Sequence, residues 1–141
     1  MNLLKTTRSN ARGAIDCLKA REMLYHHTPL KSQGEDFNLR EGIYCGFDPT
    51  SCSLHLGNLM TLLGLRHFEQ HGFRTFALIG GATGLIGDPS GKHAERDMSH
   101  VDRIAENSAA LTKQIQSLSF LDARVVNNLD WFSNINCLQV Q

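Results

Sequence analysis

The sequence predicts an α/β chain, an incomplete parallel sheet with helices between its strands. Short apolar runs at residues 42–47, 73–79 and 123–127 alternate with longer stretches of helical periodicity. Glycine, proline or asparagine punctuates the ends of these runs, at Asp48-Pro49, Gly80-Gly81 and Asn127-Asn128. Strand, helix, strand, helix, strand is the order of a parallel sheet wound with right-handed crossovers. Three strands make only half of a doubly wound sheet, and the last would lie as an open edge, which folded proteins normally cover. The chain is therefore expected to hold the first half of a larger domain.

Each element follows from its residues. Ile15, Leu18 and Leu24 at helical spacing predict a first helix over residues 14–25. Pro29 and Gly34-Glu35-Asp36 make residues 26–38 a loop. The first strand, 42–47, stops at Asp48-Pro49, because the residue before proline is driven out of helical geometry. Over residues 56–70, Leu59, Met60, Leu62, Leu63 and Phe68 cover most of the circumference, which predicts a helix buried on more than one side and stopped by Gly72. A second strand occupies 73–79, followed by a glycine-rich loop over 82–93. Ile104, Ala105, Leu111, Ile115 and Leu118 give an amphipathic helix over 101–118, with Ser99 and Asp102 as candidate N-caps. The third strand is 123–127.

Composition removes several function classes. Lys plus Arg and Asp plus Glu both number 14, so the net charge is zero. A dedicated nucleic-acid binder draws its affinity from a basic excess, so any RNA-gripping surface is expected in sequence outside these 141 residues. Cys17, Cys45, Cys52 and Cys137 form no CxxC pair, which predicts reduced thiols in an intracellular compartment. No apolar run approaches the ~20 residues that span a bilayer, and Lys5, Arg8, Arg12, Asp16 and Lys19 interrupt any secretory h-region. Basic residues with Thr6, Thr7 and Ser9 near the N-terminus fit a mitochondrial transit peptide, or equally a frayed start to the first helix.

Chemistry is expected where the strands end, because ligands of parallel sheets sit at the carboxyl rim. The loop after the first strand runs through Asp48 and Thr50 into His55-Leu56-Gly57-Asn58 at the start of the second helix. A helix N-terminus offers unpaired N–H groups and about half a positive charge, so it draws phosphate. His55 placed there can donate to a phosphate oxygen, and Gly57 leaves room for a nucleotide to lie against the backbone; a capping histidine and a packing glycine read the same residues without a ligand.

The loop after the second strand has two false friends. Gly81, Gly84 and Gly87 are spaced GxxGxxG rather than GxGxxG, and a ribose-binding acid is missing at Asn127-Asn128, although Asp130 is close. Gly91-Lys92 ends like a P-loop, but His93 stands where Ser or Thr is required. His67 and His71, four apart, could share a face as metal ligands do, yet no third ligand is nearby, so surface histidines are expected. Arg66/Glu69 and Arg103/Glu106 read as solvated helix charges, and Trp131 as core or as a half-exposed side chain at the open edge.

Tyr44 to Thr50, then Ser53-Leu54-His55-Leu56-Gly57, then Ala77 through Ile79-Gly80-Gly81-Ala82-Thr83-Gly84-Leu85-Ile86-Gly87-Asp88-Pro89-Ser90-Gly91-Lys92 together closely resemble bacterial and mitochondrial tyrosyl-tRNA synthetases. The resemblance runs without gaps from Ile43 to Arg96 and more loosely from Ser99 to Trp131; Leu18 to Leu24 with His27-Thr28-Pro29 looks more like the mitochondrial branch. It implies a Rossmann-like class I catalytic domain that joins tyrosine to ATP, accompanied by Mg2+, and then passes tyrosyl to tRNA-Tyr. His55 and Gly57 match the first histidine and the glycine of the class I "HIGH" signature. Asn58 replaces its second histidine and can still donate a hydrogen bond. Tyr44 and Asp88 match tyrosine-recognising positions; Gly46, Asp48 and Thr50 match nucleotide-side positions, and Cys45 a ribose contact. Lys92 and Arg96 match basic residues of a mobile loop that clamps departing pyrophosphate.

The same resemblance implies a homodimer for the full-length family, no protein-ligated metal, no membrane association, and a mitochondrial matrix location, with the cytoplasm as the alternative. Composition and resemblance together divide the chain into a candidate transit segment and first helix at 1–25, the N-terminal half of the catalytic domain at 40–132, and a divergent tail at 133–141. The family's later tyrosine-selecting segment, its Lys-Met-Ser-Lys-Ser-type loop and its anticodon-binding domain fall beyond Gln141. The chain is thus expected to be an inactive truncated form, with a non-catalytic ATP-binding or interaction module as the alternative.

Overall fold

The computed structural model describes residues 11–27, 42–86 and 98–135. In chain order it contains α1 (Ala11–Ala20), β1 (Ile43–Phe47), α2 (Leu56–Gln70), β2 (Thr75–Ile79), α3 (Gly81–Ile86), α4 (Met98–Gln116), β3 (Arg124–Asn127) and α5 (Leu129–Phe132). The three strands form one parallel sheet in the order β1-β2-β3, with Cys45 opposite Ala77 and Ala77 opposite Val125.

That order decides which face of the sheet is covered. Both crossovers step in the same direction, and right-handed crossovers that step the same way lay their helices on one face. The core bears this out: Leu62 and Leu65 of α2 and Leu111 and Ile115 of α4 meet Phe47, Ala77 and Ile79 of the strands. Side chains alternate across a strand, so Tyr44, Gly46, Phe76, Leu78, Arg124 and Val126 share the other face by register. Tyr44 there is 69% exposed, and a Cβ built on Gly46 would meet nothing within 4 Å. Among the described residues this second face is half-open, and both β1 and β3 are edges.

Several expectations are corrected by this arrangement. Helix α2 is covered on two sides, by the sheet through Leu62 and Leu65 and by α1, but not all round: Leu56 and Met60 are 80% and 50% exposed. The first helix ends at Ala20 rather than running to residue 25; Glu22 just beyond it takes a positive φ of 57°, which a continuing right-handed helix cannot accommodate. The start of the predicted glycine-rich loop is helical, because α3 follows β2 with only Gly80 between them. Asp102 is no N-cap, since α4 has already begun at Met98. Residues 26–38 fall largely outside the described residues.

Glu69 is more than one partner of a solvated pair. Its Oε2 accepts from Arg66 at 2.8 Å, while Oε1 accepts from the Asp122 amide at 2.9 Å and the Thr75 hydroxyl at 3.4 Å. One carboxylate thus ties α2 to β2 and to the turn that enters β3. Glu69→Ala leaves the buried Thr75 hydroxyl without this partner and gives the exposed Asp122 amide to water, and is expected to cost about 1–2 kcal/mol in urea denaturation. A loss no larger than that of Arg66→Ala would show that only the surface pair matters.

Helix α1 docks on α2 through Ala14 and Leu18, both buried. Cys17 Sγ lies 3.6 Å from His67 Nδ1, whereas His71 Nδ1 lies 2.7 Å from the His67 carbonyl oxygen, so the two imidazoles serve separate partners. Burial, with Arg21 and His71 nearby, holds the His67 pKa below the usual histidine value. A base whose folded pKa is depressed costs no stability above its unfolded value and progressively more below it. Acidification through the histidine range therefore works against this packing.

Candidate functional site at the carboxyl rim

The carboxyl ends of the three strands are joined by side-chain hydrogen bonds. The Gly80 amide donates to the Phe47 carbonyl at 3.0 Å and extends the β1–β2 ladder to the rim. Asp48 follows Phe47, and its Oδ1 accepts from the Thr83 hydroxyl at 3.0 Å. The Thr83 oxygen is in turn reached by Asn128 Nδ2 at 3.5 Å. Asn128 is buried beyond the end of β3, where its Oδ1 accepts from the Ala82 amide at 2.7 Å and so satisfies one of the unpaired donors at the start of α3. A run of polar contacts thus crosses from the end of β3, over α3, to the carboxylate after β1.

Two glycines make this possible by their lack of bulk. A Cβ on Gly80 would run into Asp48 Oδ1, and one on Gly81 would run into Asn127 Oδ1. Neither glycine has a positive φ, so space and not backbone conformation requires them.

The second part of the site is the N-terminus of α2. His55 is the N-cap: its Nδ1 accepts from the Asn58 amide at 3.3 Å, and Asn58 Oδ1 accepts from the His55 amide at 3.1 Å. This is a reciprocal capping box built from imidazole and carboxamide. With Nδ1 accepting, the proton of the neutral ring sits on Nε2, which leaves an N–H donor at the mouth of the helix. Asn58 contributes its oxygen to the cap and keeps Nδ2 as a donor. A Cβ on Gly57 would lie 2.9 Å from His55 Cε1, so the glycine also leaves room for the imidazole to fold back onto its own helix.

Between Asp48 and His55 the chain is held from below. Pro49 is fully buried, and the Thr50 amide donates to the Asp48 carbonyl at 2.9 Å. Asn107 Nδ2 donates to the Pro49 carbonyl at 2.9 Å, Gln114 Nε2 donates to the Cys52 carbonyl at 2.7 Å, and Gln114 Oε1 accepts from the Leu54 amide at 3.0 Å. Asn107, Gln114, Thr83 and Asn128 were not singled out by sequence. Asn107 and Gln114 had one available signal, two amides seven residues apart on the face of an amphipathic helix that is otherwise apolar.

Of the residues the sequence nominates, Asp48, Thr50, His55, Gly57 and Asn58 gather along this rim. Cys45 points to the helix-covered face, half-buried beside the core, while Tyr44 and Gly46 open onto the other face. Asp88, Lys92 and Arg96 lie outside the described residues. A separate groove of about 440 Å³ runs along α4, lined by Leu85, Val101, Ile104, Ala109 and Leu129 among others, and none of the described nominees reaches it. Trp131 is 42% exposed on α5, so it is not core.

A three-stranded parallel sheet with a capped helix N-terminus at its carboxyl rim is the N-terminal half of a Rossmann-like nucleotide-binding domain. The family model described as "tRNA synthetases class I (W and Y)" matches residues 38–140. The chain belongs to that family.

Its relatives include a tyrosine–tRNA ligase of Mycoplasmoides gallisepticum, 44% identical over 99 residues that make up 70% of this chain and 23% of that protein. A tyrosine–tRNA ligase of Staphylococcus epidermidis is 41% identical over 133 residues, 91% of this chain and 32% of that protein. A solved C-terminally truncated mitochondrial tyrosyl-tRNA synthetase of Aspergillus nidulans superposes with a TM-score of 0.55 at 28% identity, covering 72% of this chain and 32% of its own. The chain thus spans no more than about a third of the length of the relatives named here.

Proposed function

We propose that this chain carries the ATP- and tyrosine-binding half of a mitochondrial tyrosine–tRNA ligase. The observation that carries the reading is the α2 N-terminus, where the cap leaves His55 Nε2–H pointing a donor outward beside a set of helix N–H groups. Charge that builds on an α-phosphate under attack is stabilised by such fixed dipoles, which need no reorganisation as the reaction proceeds. In the whole enzyme the tyrosine carboxylate attacks the α-phosphate and pyrophosphate leaves; a tRNA hydroxyl then takes the tyrosyl group from the adenylate, and AMP departs. Asp48 and Thr50 flank the nucleotide, Cys45 meets its ribose, and Asn58 adds an amide donor beside His55. Tyr44, on the open sheet face, borders the tyrosine side chain, Asp88 accepts from its ammonium group, and Gly46 lies on the nucleotide side. Lys92 and Arg96 neutralise the leaving pyrophosphate, an interaction that favours the transition state over the bound substrate. Mg2+ bound with ATP would supply charge screening of its phosphates.

Residues 40–132 are the part of the catalytic domain present, and the tRNA-binding surface and the dimer contact belong to the rest of the protein. The basic N-terminus and the likeness to a mitochondrial enzyme support the matrix as its compartment. The half-open sheet face supports a second reading, an ATP-binding module that does not itself turn over.

ATP binding to the 141-residue chain is expected to weaken about tenfold in His55→Ala, the value of one hydrogen bond to a charged group. Tyrosine-dependent pyrophosphate exchange by the chain alone is expected to match a no-enzyme control. Wild-type ATP affinity in His55→Ala, measured by titration calorimetry, would remove the site from α2.

A further inference from the structure

We infer that Asn107 and Gln114 of α4 are positioning residues for the phosphate site, acting through the loop that delivers His55. The inference rests on the reading of the α2 N-terminus as an ATP site and names what holds that site in place.

The two amides sit two turns apart on one face of α4, the face that also presents Ile104, Leu111 and Ile115 to the core. An apolar residue would pack there at no polar cost, whereas a buried amide is tolerated only when hydrogen-bonded. Asn107 is only 8% exposed. Their partners are all backbone groups of one short segment: the Pro49 carbonyl, the Cys52 carbonyl and the Leu54 amide. Gln114 engages two of these from opposite ends of its amide, which fixes the amide orientation and, with it, the Ser53–Leu54 peptide plane, one residue before His55.

The segment's other hydrogen bonds are local, from the Thr50 amide to the Asp48 carbonyl, the Ser53 amide to the Ser51 hydroxyl and the Ser53 hydroxyl to the Leu54 carbonyl. Thr50, Ser51, Cys52 and Ser53 are exposed, and their backbone groups belong to neither strand nor helix. Pro49 anchors one end by burial, half-buried Leu54 packs against the core at the other, and the α4 amides hold the span between them. The residue immediately after Leu54 is the N-cap whose Nδ1 and amide complete the capping box. A shift in the Leu54 peptide is therefore transmitted directly to the His55 ring and to the first N–H groups of α2, the groups that meet phosphate. Preorganised donors lose their advantage when their support loosens.

The test compares ATP with adenosine on the full 141-residue chain, alongside hydrogen exchange at the Leu54 amide. In Gln114→Ala, Leu54 exchange is expected to rise about tenfold and ATP affinity to fall about tenfold, while adenosine affinity stays within about twofold. Asn107→Ala is expected to act the same way on ATP. Gln114→Glu keeps an acceptor for Leu54 and loses the donor to Cys52, so it should fall between wild type and Gln114→Ala; it also serves if Gln114→Ala fails to fold. A parallel fall of ATP and adenosine affinity would mean that the amides merely support the fold. Unchanged ATP affinity with faster Leu54 exchange would separate the loop from the site, and either result overturns the inference. If the wild-type chain binds neither ligand, the ATP reading itself fails and the inference with it, whereas Leu54 exchange still reports whether the amides order the loop.

Discussion

Phe47→Ala is expected to cost roughly 3–5 kcal/mol, a large part of the stability of a small domain. Phe47 is 2% exposed and closes β1 at the point where α2, α4 and the sheet meet, in contact with the cluster of Leu62, Leu65, Ile79, Leu111 and Ile115. The other face of the sheet is half-open, so this cluster is the main apolar burial in the described residues, and a cavity in it cannot be compensated from behind. Its carbonyl accepts from Gly80, and Asp48 follows directly, so collapse around the missing ring also disturbs the rim. Urea denaturation should show a lower midpoint with little change in slope. A loss below about 1 kcal/mol would mean that Phe47 is not the centre of the core.

Gly80→Ala should cost roughly 2–3 kcal/mol and displace the Asp48 carboxylate. The added methyl meets Asp48 Oδ1 and Thr83 Oγ1, the two atoms that hydrogen-bond across the rim. The backbone cannot retreat, because the Gly80 amide is already committed to Phe47 and Gly84 donates to the Gly80 carbonyl at 2.8 Å. The side chains must therefore give way, and the Asp48–Thr83 bond goes with them. A double-mutant cycle separates this from a general cost: Asp48→Ala removes the nearer obstacle and frees Thr83 to turn away, so Gly80→Ala should cost less in that background. Additive losses would place the clash elsewhere.

Much of this was legible in the sequence because it follows from short-range rules. The bounds of α2 match the expected residues 56–70, since the proline turn before it and the glycine after it are local signals. The strands declared themselves as apolar runs, and His55 with Gly57 and Asn58 was recognisable because a helix N-terminus needs nothing distant to act on an anion. Other features were not legible. Glu69 looked like half of an ordinary i,i+3 pair because its two further partners, Thr75 and Asp122, lie six and 53 residues away. Asn128 looked like a turn residue, yet it caps a helix 46 residues earlier. The circumference of α2 read as apolar all round because sequence counts side chains without knowing how many neighbours exist to cover them.

By itself, then, the sequence determined the α/β alternation, the bounds of α2 and the turn that delivers His55 to its N-terminus. All of these depend on backbone propensity and on spacing within a few residues. Only the tertiary structure decided that both crossovers lay their helices on one face, leaving Tyr44 and Gly46 open on the other. It also decided that Asn107, Gln114 and Asn128 hold the rim together. Those outcomes depend on which distant backbone groups are left without partners once the strands pair, a quantity that exists only after the chain has closed on itself.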